Sequence, residues 1–230
     1  MSLARRSRPN ARFAQCFDEM ENEMSMLEDR IDRLESLDAI RQLPAKYALA
    51  LDMRDMNAMV SLFPADVRVG KDASGRAALR AYMDRTLRSP FTGTSHHIGG
   101  HIIEFDDPDH AHGVVYSKND HETGSEWVIM QMMYVDDYVQ NGGHWQFSRR
   151  LPLYWYASDL NKPPIGDRKM RWPGTEWVAG NFHNLFPCYA EFWERSGDPG
   201  GPVAEPAPLE GFINAMRRGL KAPKVKVRAD

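Results

Sequence analysis

Apolar residues near the start of the chain recur at alternating spacings of three and four, with charged residues between them. This periodicity predicts an amphipathic helix with a narrow apolar seam, suited to pairing with a second subunit or to packing within its own domain. A second helix is predicted from residue 37 to Asp52, and Pro44 is expected to bend or interrupt it. The seam of the first helix comprises Phe13, Phe17, Met20, Met24, Leu27, Ile31 and Leu34.

Two shorter helices and a short strand follow, and then the pattern changes to a period of two. Helices are predicted over residues 56–63, where Asp55 is the expected cap, and over residues 75–87, with a strand at 66–69 between them. Helices followed by consecutive strands predict an α+β fold, with the helices packed on one face of a curved antiparallel sheet. The predicted long strands are residues 94–105, 111–118, 126–139 and 144–156.

The last third of the chain is broken repeatedly by proline, and only residues 181–195 and 209–220 predict helices. We therefore divide the chain into an N-terminal tail and helix (1–36), a main domain (37–158) and a C-terminal arm (159–230). The arm's aromatic residues carry too much apolar area to remain in water, so they are expected to pack over the main domain or a partner subunit. They are Trp172, Trp177, Phe182, Phe186, Tyr189, Phe192 and Trp193.

Composition restricts the classes of function. The chain has 230 residues, of which 42% are hydrophobic, enough for one sizeable core. A formal charge of -3 and a pI near 6.2 disfavour a nucleic-acid surface, although the Arg-rich residues 1–12 are expected to be mobile. Two cysteines are too few for a disulfide framework, and neither a signal peptide nor a membrane span is evident. These features predict a cytoplasmic protein without nucleic-acid or membrane partners.

The strongest candidate chemistry lies at the start of the first long strand, at His96 and His97. Histidine can accept and return a proton near neutral pH. Strand alternation allows only one of the two to point inward, and it places His101 on the face of His97. Asp52 ends a helix, where the dipole disfavours a carboxylate, and that cost suggests a functional reason for its presence.

The order of elements and several motifs resemble the SnoaL-like branch of the NTF2-like cone fold. The motifs are Tyr-Ala-Leu-Ala-Leu-Asp at 47–52, Asp-Val-Arg-Val at 66–69, Thr-Ser-His-His at 94–97 and Trp-Gln-Phe-Ser-Arg-Arg-Leu at 145–151. The resemblance covers residues 34–156. It implies that Asp52 and His96 form a catalytic dyad in the mouth of the cone, with His97 as the alternative base, because the segment at Gly99 is one residue shorter than the family pattern.

Other residues are candidates for holding the substrate and its developing charge. Tyr134 and Arg149 are expected to stabilise an oxyanion or phenolate in a water-poor cavity. Imidazoles are numerous enough for a metal site, but no carboxylate stands at a characteristic ligand spacing, so no metal is expected. No nucleotide or phosphate motif is present, and we expect no cofactor. The candidate substrate-binding residues are Lys46, Tyr47, His101, Met130, Met132, Phe147 and Trp155.

Together these features favour a cofactor-independent lyase that acts on a small aromatic substrate and assembles as a homodimer or larger homo-oligomer. Loss of water is the simplest reaction. The lignin-dimer γ-formaldehyde lyases, which are cone-fold proteins of similar size, suggest a more particular one, in which a phenolic diarylpropane diol becomes a stilbene and formaldehyde. The alternatives are an isomerase or cyclase with the same dyad, a noncatalytic ligand-binding module, and a β-subunit of a ring-hydroxylating dioxygenase.

Overall fold

A computed structural model describes residues 11–194 and 211–221, and the side chains from residue 15 onward. The first helix, α1, spans Ala11–Asp52. The described residues divide into two compact units at Ala39 and Ile40. The first unit is helical. The predicted break near residue 36 is absent and α1 continues through Pro44, so the two predicted helices are one.

The second unit begins with the last part of α1, where Ile40, Leu43 and Tyr47 are buried. Two helices follow, α2 (Met56–Ser61) and α3 (Arg76–Arg88), and a two-stranded ribbon of β1 (Arg68–Val69) and β2 (Ala73–Ser74) lies between them in sequence. The predicted cap is confirmed, since a carboxylate oxygen of Asp55 accepts a hydrogen bond from Ala58 N at 2.9 Å.

Four long antiparallel strands form the main sheet in the order β3, β4, β5, β6. They are β3 (Gly93–Phe105), β4 (His110–Glu122), β5 (Trp127–Asn141) and β6 (His144–Asp159). The predicted meander and the α+β class are therefore confirmed. The bounds agree with the predicted ones to within a few residues, and the largest difference is at the end of β4, which continues to Glu122 instead of residue 118.

The sheet has two packed faces. The inner face carries the cross-strand row His96, Asn119, Met130 and Ala157, and the outer face carries the row Ile102, Val114, Val135 and Leu151. On the inner face, rings from α1, the loop after α2 and the sheet pack edge-on or tilted at 5.3 to 6.4 Å between centroids. These rings are Tyr47, Phe63, Tyr134 and Phe147.

The C-terminal arm packs mainly on the outer face. Phe182, Leu185 and Ile213 are buried in one cluster with Val114, Met133, Val135, Leu151 and Leu153. The single helix expected over 181–195 is instead a 3-10 turn (Phe182–Leu185) and α4 (Cys188–Glu194), because Pro187 interrupts it. α5 is short (Phe212–Met216). Residues 1–10 of the expected mobile tail and the start of the helix expected over 209–220 lie outside the described residues, whereas Ala11 and Arg12 belong to α1.

The buried side chain of Glu104 fastens the arm to the sheet. Its Oε1 accepts a hydrogen bond from Ile213 N at 2.7 Å, and its Oε2 lies 3.0 Å from His112 Nε2. A buried carboxylate is tolerated because both oxygens have partners. Among the helices of the described residues, none combines the length and apolarity needed to cross a membrane.

Candidate active site

Asp52 is positioned by a specific end to α1. Asp55 N donates to Ala50 O at 2.9 Å and Arg54 N donates to Leu51 O at 3.0 Å, which is the Schellman pattern that usually places glycine in the left-handed region. Here Arg54 occupies that position with φ 59°. A side chain there costs about 1 kcal/mol. This backbone strain is confined to Arg54, which lies two residues after Asp52 in the sequence.

The structure brings Asp52 and His96 into direct contact. The Nδ1 atom of His96 lies 2.6 Å from Asp52 Oδ1, and His96 N donates to Asp52 Oδ2 at 2.8 Å. Thr94 Oγ1 donates to Asp52 Oδ1 at 2.9 Å, and Arg54 Nη1 donates to Thr94 Oγ1 at 2.7 Å. Because Arg54 occupies the threonine oxygen as donor, the hydroxyl hydrogen is directed to Asp52. The carboxylate is thereby fixed in place at the unfavourable end of α1.

This arrangement determines which nitrogen of His96 is available. A carboxylate only accepts hydrogen bonds, so His96 Nδ1 carries the hydrogen and Nε2 carries the lone pair. Within the part of the chain that the structure describes, Nε2 makes no hydrogen bond. Burial lowers the pKa of His96 from its usual value, and the hydrogen bond and charge of Asp52 oppose that effect. At neutral pH His96 is therefore a neutral imidazole whose Nε2 lone pair is free to accept a proton.

An aromatic cluster lies beside the dyad. The ring of His121 is 5.9 Å from that of His96, 4.7 Å from Phe91 and 5.5 Å from Trp172. Trp172 comes from the arm, where Arg171 N donates to Ala157 O at 2.7 Å and the Arg171 side chain pairs with Glu126 at 3.0 Å. Burial lowers the pKa of His121 to about 4, so it too is neutral.

The sequence did not indicate that His121 and Trp172 lie beside the dyad. The pairing of Thr94 with His121 places this histidine at the dyad, and only the strand register reveals that pairing.

Further along the inner face, Arg150 is the buried cation that sequence reasoning missed. Its guanidinium carbon lies 3.7 Å from the ring centroid of Tyr134 and 4.4 Å from that of Tyr47, and its Nε is 3.3 Å from Asp136 Oδ1. None of its three side-chain nitrogens makes a hydrogen bond to a described residue, so the contact with Asp136 is an ion pair without hydrogen-bond alignment. Its charge contributes to lowering the pKa of His96.

Two phenols and a carboxyl surround this cation. Burial raises the pKa of Tyr134 to about 12 and that of Tyr47 well above its usual value, so both remain protonated at neutral pH. Burial also raises the pKa of Asp136 to about 6, while Arg150 opposes the rise. Tyr138 Oη donates to Asp136 Oδ2 at 3.1 Å and lies 2.9 Å from His101 Nε2.

Four candidate residues lie away from the inner face. His97 is on the outer face with 67% of its side chain exposed, 3.8 Å from Asp120. Arg149 is also outside and pairs with Asp137 at 3.6 Å. Trp155 contacts Phe182 of the arm across the outer face. Lys46 is exposed. The expectation that Arg149, Trp155 and Lys46 take part in the site is therefore wrong, and of the two adjacent histidines it is His96, not His97, that faces inward.

The remaining candidates, Tyr47, Met130, Met132, Tyr134 and Phe147, are buried. The strand register places the four sheet residues on the inner face, and ring contacts join Tyr47 to them.

His101 was expected on the opposite face from His96, and this was wrong. The register between β3 and β4 shifts between Ile98 and His101, so a bulge at Gly99 and Gly100 adds one residue to β3. The shift returns His101 to the inner face, where it reaches Tyr138. In the described residues, no group of three or more His, Cys, Asp or Glu side chains is arranged to hold a metal ion.

Comparisons with known proteins agree with this fold. The model of the SnoaL-like domain family matches residues 32–151, so the chain belongs to that family. The chain matches none of the curated proteins with which it was compared.

Three solved structures illustrate the likeness. A provisionally assigned scytalone dehydratase from Novosphingobium aromaticivorans DSM 12444 is 24% identical, with a TM-score of 0.51 over 64% of this chain and 99% of that one. LinA is 21% identical (TM-score 0.53, 58% of this chain and 95% of that one). A type 2 hexachlorocyclohexane dehydrochlorinase (LinA) is 20% identical (TM-score 0.53, 60% and 99%). At these identities the likeness shows the fold alone.

Proposed function

We propose that this protein is a cofactor-independent lyase that uses His96 as a general base on a small aromatic, phenolic substrate. One observation carries the proposal, namely the contact of 2.6 Å between His96 Nδ1 and Asp52 Oδ1, which leaves Nε2 as a basic nitrogen beside aromatic rings. A carboxylate that fixes the tautomer also stabilises the imidazolium formed when the base takes a proton. Two of the fold neighbours are named for eliminations, a dehydratase and a dehydrochlorinase.

In the simplest reaction, His96 Nε2 removes a proton from the carbon next to the one that bears a hydroxyl group. A carbon–carbon double bond forms, the carbon–oxygen bond breaks, and the imidazolium returns its proton to the departing hydroxide to give water. Such a step needs no oxidant and no second substrate. A positioned base contributes roughly 10²- to 10⁴-fold to a rate of this kind.

The inner face offers a means of stabilising negative charge on a substrate ring. The guanidinium of Arg150 is buried and has donors without hydrogen-bond partners in the described residues, and the protonated phenol of Tyr134 lies against it. A fixed cation in a poorly hydrated site interacts strongly with a developing anion. A phenolate fits this environment, because its ring can also pack against the neighbouring aromatic side chains.

The particular substrate that we propose is a phenolic diarylpropane diol of the lignin-derived type. Loss of its benzylic hydroxyl, with the phenolic proton, would give water and a quinone methide. His96 would then remove the proton of the primary alcohol, the adjacent carbon–carbon bond would break to release formaldehyde, and the electron pair would form the stilbene double bond. The imidazolium would return its proton to the phenolate oxygen.

The test is an incubation of the purified protein with a phenolic diarylpropane diol, its phenol methyl ether and a set of hydroxylated single-ring compounds. Formaldehyde and new ultraviolet absorbance are measured in parallel. We expect both signals from the phenol and neither from its methyl ether, which cannot form the quinone methide.

Absorbance without formaldehyde would support a water-eliminating lyase and reject the formaldehyde route. A product with the mass of its substrate would instead indicate an isomerase. No product from any compound would contradict the proposed lyase of phenolic substrates.

A further inference from the structure

The helical residues before Ala39 carry a continuous row of exposed apolar side chains. Each is between 45% and 65% exposed, although residues of these types are usually buried. Scattered exposed apolar residues are ordinary, but a contiguous apolar surface on a helix indicates an interaction site. We call this row the seam; it comprises Phe17, Met20, Met24, Leu27, Ile31 and Leu34.

The spacing of the seam identifies the geometry of its partner. The steps along the seam alternate strictly between three and four residues, which is the a and d pattern of a heptad repeat. A straight helix drifts by about 20° per heptad relative to that pattern, so a seam of this kind stays in contact only with another helix that supercoils around it. A helix that packs on a sheet does not need this strict alternation of steps of three and four residues.

We propose that the seam binds the same seam of a second copy of this chain, and that the two helices form a parallel, two-stranded coiled coil. The a positions are Phe17, Met24 and Ile31, and the d positions are Met20, Leu27 and Leu34. A β-branched residue at a with leucine at d favours two strands over three or four in parallel coils. The C-terminal half of the seam has that combination, with Ile31 between two leucines.

The charged residues that flank the seam favour the parallel orientation. All three e positions are glutamate, at residues 21, 28 and 35, and an antiparallel pair would place these rows against each other. In the parallel pair, Arg30 at g faces Glu35 at e of the other helix, which is attractive. Glu23 at g faces Glu28 at e, and this is the one repulsive pairing. The electrostatic energy of the flanking charges is therefore less unfavourable in the parallel pair than in the antiparallel pair.

The test measures the mass of the full-length protein in solution by sedimentation velocity and light scattering. The seam variant is Leu27→Lys with Ile31→Lys, and the matched control is Met26→Lys. Met26 is 66% exposed but occupies a c position, outside the seam. We expect the seam variant to halve the mass of the particle, or to weaken its association by at least about 100-fold, because a lysine at a or d would be buried without a partner. The control should match the wild type.

Several outcomes would overturn the inference. A wild-type protein that is monomeric at about 100 µM has no such interface, and a seam variant with the wild-type mass shows that the seam packs within its own chain or that another face assembles the protein. A mass that falls to one third indicates three strands. Circular dichroism establishes that both variants remain folded, which is expected because the substituted side chains are exposed in the single chain.

Orientation is tested by introducing a cysteine near one end of the seam. In a Cys16→Ser protein, Leu34→Cys should form a disulfide between identical positions of two chains, identified by mass mapping, since identical d residues meet only in a parallel, in-register pair. Asp29→Cys lies at an f position on the far side of the helix and is the control. Equal crosslinking of the two variants, or none at residue 34, would contradict a parallel pair.

Discussion

Replacing His96 with glutamine should reduce kcat by roughly 10²- to 10⁴-fold on whichever substrate the protein turns over. Glutamine retains a polar side chain of similar reach but has no basic nitrogen. The loss is expected in kcat more than in KM, because the proton moves only in the transition state. The measurement is a steady-state comparison of wild type and variant by formaldehyde release or product absorbance.

The adjacent histidine provides a control with the same chemistry. His97→Gln should change kcat by less than about twofold, because His97 lies on the outer face and is 67% exposed. Asp52→Asn should lose activity to a similar extent as His96→Gln, and the double variant little more than either, since the two groups act as a unit. Equal losses in His96→Gln and His97→Gln would contradict the assignment of the base.

The second large effect is on stability. Arg150→Met should lower the free energy of unfolding by roughly 3–5 kcal/mol, since removing one member of a buried ion pair leaves the other charge uncompensated. The pair is deeply buried, with 4% of the Arg150 side chain and none of the Asp136 side chain exposed. The variant also loses the contacts of the guanidinium with Tyr47, Tyr134 and Phe147. Urea denaturation of the purified proteins measures the difference.

Arg149→Met is the matched control for Arg150→Met. Arg149 pairs with Asp137 across the exposed outer face, where such a pair contributes less than about 1 kcal/mol.

The pH dependence of Arg150→Met provides a further check. Loss of Arg150 should raise the folded-state pKa of Asp136 above its present value of about 6, and an acid with a raised pKa destabilises the fold as pH rises towards that pKa. The penalty of Arg150→Met should therefore be smaller near pH 5 than near pH 7.5, and a penalty independent of pH would contradict a charged Asp136 as its cause.

The helices and strands of the main domain could be predicted from the sequence because their apolar periodicities are long and distinct. The same periodicity could not show that α1 continues through Pro44, where burial of Ile40, Leu43 and Tyr47 stabilises the helix despite the missing backbone donor. Nor could it show where the arm packs, because that depends on contacts between residues far apart in sequence.

The inner and outer positions were predicted well only where the register was regular. Strand alternation predicts that one member of each adjacent pair faces inward, but it does not predict which one. The pairs are His96 with His97 and Arg149 with Arg150. Three register shifts then alter the pattern. One returns His101 to the inner face. A second, between Gln131 and Met132 in the pairing of β5 with β6, pairs Met132 with Tyr154 and leaves Trp155 on the outer face, and a third, between Asp137 and Tyr138, pairs Tyr138 with Phe147.

Catalysis by His96 requires a neutral imidazole with its hydrogen on Nδ1, and nitrogen-15 NMR of labelled histidine observes both the tautomer and the charge directly. We expect His96 at about pH 7 to be neutral, with its hydrogen on Nδ1 and a free Nε2, and to accept a second proton only below the usual histidine pKa of about 6.5. Activity should accordingly be lost as pH falls through that lowered pKa. A His96 that is already an imidazolium at pH 7, or that carries its hydrogen on Nε2, would contradict the proposal that this residue is the base.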